Sequence, residues 1–211
     1  MNEKVKVIKD WLGSGSINIF GKAFSGKDTL GKELAGVLDA EFLSSGDIIR
    51  AARDSTDERI SRSARMSDGG VWTPTNAFRE LVLPYLYDEK IAGRALILSM
   101  VGRWMGEEDL VMEALEKGGH DIKAVLLLNV SESEIWQRWE LAKGSDSRNV
   151  GRFDDSDLVK VQRRLEEYNT KTLPIVDRYR NMGILLEING GRSREAVFNQ
   201  TINMLYEFAQ L

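Results

Sequence analysis

The sequence predicts an α/β fold: one domain, residues 1–211, built on a five-stranded parallel sheet with helices on both faces. Three observations predict it. Five short apolar runs, at 17–20, 41–44, 95–99, 124–130 and 184–188, are distributed along the chain. Segments with apolar residues at helical spacing separate them, and strands alternating with helices build parallel sheets. The first run passes at once through a glycine-bounded turn into a helical pattern. That places a loop beyond the carboxyl edge of the sheet, where ligands bind in such folds.

In chain order, residues 1–14 form a charged lead in which Val5, Ile8 and Leu12 predict a covering helix ending at Gly13-Ser14-Gly15. Ile17-Asn18-Ile19-Phe20 is short and β-branched, as a buried strand requires. Leu30, Leu34, Val37 and Leu38 then mark a helix to about Asp39. Glu41-Phe42-Leu43-Ser44 is the second strand, and Ser45-Gly46-Asp47 turns into another helix. Residues 53–70 are charged and poor in large apolar side chains, so they are expected to leave the core. Pro74 suits the start of a helix carrying Phe78, Leu81, Val82 and Tyr85. Strands follow at 95–99 and 124–130, and Ser131 with Glu134 three residues on predicts a capping box for a helix over 132–142. After a loop at 143–151, residues 157–180 read as one long amphipathic helix with Pro174 as the place for a kink. A strand at 184–188 and a helix at 194–208 close the chain.

Composition excludes several function classes. The chain carries 29 Lys and Arg against 33 Asp and Glu, a net charge of −4 with the two signs well mixed. That balance argues against a surface built to coat nucleic acid. Cysteine is absent, which removes disulfides and thiolate metal sites. No apolar run reaches bilayer-spanning length, and MNEKVKVIKDW lacks a signal-peptide core. The expectation is a cytoplasmic monomer without nucleic-acid or membrane partners. His120, the single histidine, lies in KGGHD and reads as a turn residue.

The chemistry begins at Gly21-Lys22-Ala23-Phe24-Ser25-Gly26-Lys27, which has the G-x-x-x-x-G-K spacing of a phosphate-binding loop. Glycines let backbone N–H groups converge on an anion, and the helix N-terminus adds partial positive charge. Lys27 supplies a full charge for the outer phosphates. A hydroxyl directly after the lysine normally holds Mg²⁺, but Asp28 stands there, so Thr29 is expected to supply it. Gly21, Ser25, Gly26, Lys27, Asp28 and Thr29 are therefore the candidate phosphate and metal residues. A glycine-rich turn that binds nothing is the alternative.

Further segments follow in order: Ser45-Gly46-Asp47-Ile48-Ile49-Arg50, Ser99-Met100-Val101-Gly102-Arg103, Arg152-Phe153-Asp154-Asp155, Arg164-Leu165-Glu166-Glu167-Tyr168, then Thr172, Pro174 and Tyr179. With Gly21 through Thr29 they resemble the motifs of the adenylate kinase family of nucleoside monophosphate kinases. The resemblance implies a three-layer P-loop kinase moving the γ-phosphoryl of ATP, with Mg²⁺, to a nucleoside monophosphate, AMP first. It places Lys27 on the donor phosphates, Arg50 and Arg103 on the acceptor phosphate, and Arg138 against the donor base. Arg152 with Arg163 or Arg164 falls on the transferring group; one inserted residue leaves that choice open. Residues 45–73 correspond to an acceptor-binding excursion that includes Ser45, and residues 143–151 to a short lid. Met66 and Trp72 either wall the acceptor base or belong to the core. Arginine suits these roles because its planar fork binds phosphate bidentately and keeps its charge. Phosphoryl transfer asks mainly for such positioning and neutralisation.

The sequence also departs from the family. Ser99 stands where the family has an acid that supports Mg²⁺, Met100 and Gly102 replace a glycine and a proline, and Ala142 replaces an arginine at the lid. Lys143 and Arg148 are its possible substitutes. Four residues after Arg103, a glutamine that pairs with adenine is replaced by Glu107. A carboxylate only accepts hydrogen bonds, which suits the two adjacent donors of guanine better than adenine's edge. Either Glu107 reads the base and brings tolerance of GMP, or it merely opens the next helix, where the dipole favours acids. Two other readings stay open: a kinase with a different acceptor, whether GMP, another nucleotide or a small metabolite, and a nucleotide-binding protein that has lost catalysis.

Overall fold

The computed structural model describes residues 2–143 and 157–211. The five apolar runs form β1 (Ser16–Gly21), β2 (Glu41–Ser44), β3 (Leu96–Ser99), β4 (Ile122–Asn129) and β5 (Leu185–Asn189). The helices of the first half are α1 (Asn2–Leu12), α2 (Lys27–Leu38), α3 (Ser45–Ala52), α4 (Glu58–Arg65) and α5 (Thr75–Leu81). The second half adds α6 (Glu107–Gly118), α7 (Glu132–Lys143), α8 (Leu158–Glu167), α9 (Leu173–Asn181) and α10 (Arg194–Phe208).

All strand pairs are parallel, and the spatial order is β2-β3-β1-β4-β5. Ile17 lies between Ile97 of β3 and Ala124 of β4, so β1 is flanked on both edges. Side chains alternate between the faces as strand geometry demands. Ile17, Ile19, Ala124, Leu126 and Leu128 pack with Leu34 of α2 and Val197 and Leu205 of α10. Phe20, Val125 and Leu127 point to the other face, against Ile175, Val176 and Tyr179 of α9. Each such buried side chain contributes about 1.5–3 kcal/mol relative to exposure. The α/β class with helices on both faces is thus as the sequence predicts.

Three helical expectations change in detail. Residues 53–70 contain α4, capped by Asp57, whose carboxylate accepts from Arg59 N–H at 2.9 Å. Helix α5 stops at Leu81, and a 3₁₀ turn, Leu83–Tyr87, takes over with Pro84 in its first turn. Proline has no N–H to donate and its ring blocks the preceding turn, so Val82 and Tyr85 fall outside α5. The long helix of the C-terminal region is broken at Tyr168–Thr172, a π-helical turn between α8 and α9. Pro174 cannot bond to residue 170, and the ladder widens one turn before it. The predicted capping box is present: Glu134 N–H donates to Ser131 Oγ and Ser131 N–H to the Glu134 carboxylate, both at 3.3 Å. His120 follows α6, fully buried, with Nδ1 2.9 Å from the Ser14 carbonyl.

Candidate active site

The loop between β1 and α2 is shaped by its backbone. Gly26, the N-cap of α2, has φ 92°, and Phe24 is held at φ 60°. A non-glycine residue there costs on the order of 1–2 kcal/mol. At Gly21 a Cβ would lie 2.7 Å from Ser25 Oγ and 3.2 Å from Leu128 Cβ, so only glycine fits. Ser25 is buried, and its hydroxyl has no hydrogen-bond partner among the described residues. Arg138 of α7 braces the loop: it donates to the Ser25 carbonyl at 2.9 Å and to the Gly190 carbonyl at 2.7 Å. Its guanidinium therefore ties the phosphate loop to the turn between β5 and α10.

Beyond the carboxyl ends of β1, β2 and β3 lies a cleft lined in part by Lys27, Arg50, Arg53, Arg103 and Arg164. Asp28 is the one acid among the described lining residues. Arg103 is held closely by its neighbours. Its guanidinium donates to Ser45 Oγ at 2.8 Å and, more weakly, to the Met100 carbonyl at 3.3 Å, and stacks 4.6 Å from the Trp72 ring centroid. Burial, then the neighbouring Arg164 and Arg50, lower it to about 10, partly offset by Glu107 and Asp28. It remains charged at neutral pH. Cations that depress one another in a cleft mark a place for an anion, whose arrival relieves their repulsion.

One wall of this cleft comes from distant parts of the chain. The Trp72 indole N–H donates to Thr172 Oγ1 at 3.2 Å, and the Thr172 hydroxyl donates to the Arg103 carbonyl at 3.2 Å. Trp72 N–H donates to the Glu167 carboxylate at 3.1 Å. Lys171 sits 3.9 Å over the Trp104 ring, and the Trp104 indole N–H donates to the Thr73 carbonyl at 3.1 Å. The π-helical turn thus grips both the 70–73 segment and the turn after β3. Thr73 and Trp104 do this work without having been singled out by sequence, whereas Thr172 belongs to a motif segment; Arg53, also not singled out, lines the cleft. Nothing local marks Arg53 or Thr73; Trp104 carries a weak signal, as the neighbour of Arg103.

The structure brings Lys27, Asp28, Arg50, Trp72, Arg103 and Arg164 together around the cleft, with Ser45 behind Arg103. Others are placed elsewhere. Arg163 is exposed and, among the described residues, reaches the Gly69 carbonyl at 3.5 Å, while Arg164 is the member of that pair that lines the cleft. Met66 ends α4, is 47% exposed and does not line the cleft. Thr29 is exposed on the first turn of α2, outside the lining, while Asp28 faces in. Arg152 and residues 144–156, most of the expected lid, lie outside the described residues.

Glu107 is the first residue of α6. It is 1% exposed, and its carboxylate accepts from Arg103 N–H at 2.7 Å, Trp104 N–H at 3.1 Å and the Thr75 hydroxyl at 2.9 Å. Both oxygens thus face protein donors. Burial pushes its carboxyl above the usual range, and these hydrogen bonds pull it back in part. Glu107 opens α6 and pins the turn that carries Arg103, the plainer of the two sequence readings.

A strand–loop–helix phosphate site faced by arginines from three other elements defines a P-loop phosphotransferase. The family model for adenylate kinase matches residues 19–184. Curated relatives named adenylate kinase include one from Bacteroides fragilis, 28% identical over 87% of this chain and 94% of its own length. Another, from Synechococcus, is 29% identical over 82% of this chain and 86% of its own. A third, from Hyphomonas neptunium, is 32% identical over 85% and 92%. The chain belongs to the adenylate kinase family, and it is a nucleoside monophosphate kinase by that membership. Among the described residues, no helix is long and apolar enough to cross a membrane.

Proposed function

We propose that this protein transfers the γ-phosphoryl of Mg·ATP to AMP, yielding two ADP. The observation that carries the reading is the convergence of Lys27, Arg50, Arg103 and Arg164 on one cleft beside the phosphate loop. Lys27 and the loop N–H groups take the donor β- and γ-phosphates. Arg50 and Arg103 hold the acceptor phosphate, so that one of its oxygens attacks the γ-phosphorus while the bond to the β-bridging oxygen breaks. Arg164, with Arg152, neutralises charge on the group in flight, where positioned cations outweigh any covalent contribution. Arg138 frames the donor base from behind the loop. Bound Mg²⁺ supplies charge neutralisation on the donor phosphates, and the inward-facing carboxylate of Asp28 fits a cation there. Residues 45–73 form the acceptor excursion, and residues 143–151 the lid that excludes water from the transfer.

Preference for AMP rests on the relatives' activity and on the commitment of Glu107 to the turn rather than to a base. We assign the protein to the cytoplasm as a monomer. The test is ADP formation from ATP with each of the common nucleoside monophosphates. AMP is expected to lead in kcat/KM by at least about tenfold, the scale set by one mismatched hydrogen-bonding group. ATP consumption that no monophosphate accelerates would overturn the reading.

A further inference from the structure

Phe24 stands at the centre of the phosphate loop in a backbone conformation that suits glycine, with φ 60°. Glycine would take that shape without strain, so the loop itself gains nothing from a phenyl ring there. Its shape has other supports: the close approach at Gly21, the left-handed Gly26, and the brace from Arg138 to the Ser25 carbonyl at 2.9 Å. A strained residue at such a site points to a task for its side chain.

That side chain is half-buried at the edge of the cleft. It packs against a small apolar cluster distinct from those on the two sheet faces: Val130 just after β4, Ile135 of α7 and Leu165 of α8, with Trp136 of α7 against the same cluster. Arg164 directly precedes Leu165 and is the residue that α8 contributes to the described lining of the cleft. Adjacent helical residues lie about 100° apart, so a shift in the seat of Leu165 swings Arg164 with it. On its acceptor side α8 is tied to the 69–72 segment. Arg163 reaches the Gly69 carbonyl at 3.5 Å, a Cβ on Gly70 would meet the Lys160 carbonyl at 2.6 Å, and Glu167 accepts from Trp72 N–H at 3.1 Å. On its donor side the phosphate loop meets it through the Phe24 cluster.

We propose that Phe24 is a positioning residue: through this cluster it seats α8 against the phosphate loop and so fixes Arg164 at the transferring group. The role of Arg164 rests on the kinase reading, whereas the seat is a matter of packing. Strain is kept in the loop because the ring holds in register two elements that the transfer needs together, the donor loop and the helix that brings a cation to it. Loss of such a seat shows in rate before affinity, since a misplacement of about 1 Å can cost on the order of 10²-fold.

The test is the single-turnover rate of ADP formation from Mg·ATP and AMP, which reads the transfer rather than product release. ATP affinity by titration calorimetry and thermal unfolding accompany it. Phe24→Gly removes ring and strain together, Phe24→Ala removes the ring and keeps the strain, and Phe24→Leu keeps apolar bulk. Both truncations should slow transfer roughly ten- to a hundredfold while ATP affinity stays close to the wild type's, and Phe24→Leu should recover most of the rate. Phe24→Gly should melt above Phe24→Ala and yet be no faster, which separates the strain from the ring's task. Added to Arg164→Ala, Phe24→Gly should slow transfer no further, because the ring acts through that arginine. Amide exchange across α8 should be faster in Phe24→Gly than in the wild type, a readout that needs no turnover. A wild-type rate in folded Phe24→Gly, a fully additive loss on top of Arg164→Ala, or a fall in ATP affinity matching the fall in rate would overturn the inference and leave the kinase reading standing. If the wild type forms no ADP from ATP and AMP, the kinase reading falls and α8 exchange decides the seat: faster exchange upholds it, and unchanged exchange overturns it.

Discussion

The phosphate loop and the acceptor wall meet in one cleft but are built in opposite ways. The loop is seven consecutive residues, Gly21 to Lys27, whose shape follows from backbone conformation at Phe24 and Gly26 and from close packing at Gly21. The wall is assembled from α3, the 70–73 segment, the turn after β3 and the π-helical turn, joined by single side-chain hydrogen bonds. Arg103 to Ser45 spans 58 residues of chain, and Trp72 to Thr172 spans 100. A local site is specified by a short motif and tolerates distant change. A site made of long-range contacts has no motif of its own and depends on each tether.

The comparison predicts different ways to fail. The largest effect belongs to the loop. Lys27→Ala should lower kcat/KM by at least roughly 10²–10³-fold, the usual cost of one transition-state donor. Its melting temperature should stay close to the wild type's, because Lys27 lines the cleft and is absent from the apolar core. A kcat unchanged by this substitution would remove the loop from the mechanism.

Glu107 lies on the acceptor side, and its loss should appear first as instability. Glu107→Ala abandons two buried N–H groups, of Arg103 and Trp104, at about 1–3 kcal/mol. Glu107→Gln can still accept from both through its amide oxygen while the amide NH₂ donates to Thr75. The pH dependence separates the two forms. Because burial raises the Glu107 carboxyl in the folded state, its contribution is fullest below the unfolded carboxyl range and is lost as pH rises through the folded value. The wild type should therefore lose ground to Glu107→Gln on going from acid to neutral pH, read by denaturant titration at each pH. A constant difference between the two would show that the carboxylate carries no buried charge cost.

The smallest effect is at the seam. Thr172→Val removes the acceptor for Trp72 and the donor to the Arg103 carbonyl, at about 1 kcal/mol of stability. It should raise KM for AMP several-fold and leave KM for ATP near its original value. Equal rises in both would mean that the wall and the loop are not separable.

Legibility followed the same divide. The five strands, the phosphate loop and the Ser131–Glu134 box are governed by neighbours within a few residues, and their patterns were visible in the chain. Arg164 could be told from Arg163 only once α8 was placed against Gly69 and Gly70, where a Cβ on Gly70 would meet the Lys160 carbonyl at 2.6 Å. For Met66 the resemblance offers either a wall of the acceptor base or the core, yet its position at the exposed end of α4 is a tertiary outcome. Sequence leaves two readings for Glu107, because hydrogen-bonding capacity alone cannot say which donors a carboxylate will find. Two of its donors are backbone N–H groups three and four residues back, and the third, the Thr75 hydroxyl, comes from a distant helix. Asp28 and Ser99 each looked like a departure from the family, and only their 2.6 Å contact makes them one feature.

The central claim is that one phosphoryl group passes inside this cleft from ATP to AMP. It is tested most directly by mixing [γ-³²P]ATP with unlabelled AMP and the protein, then locating the label. The account predicts label in the β-phosphate of ADP formed at the same rate as AMP disappears. Label released only as inorganic phosphate, or retained on ATP while the nucleotide stays bound, would contradict it.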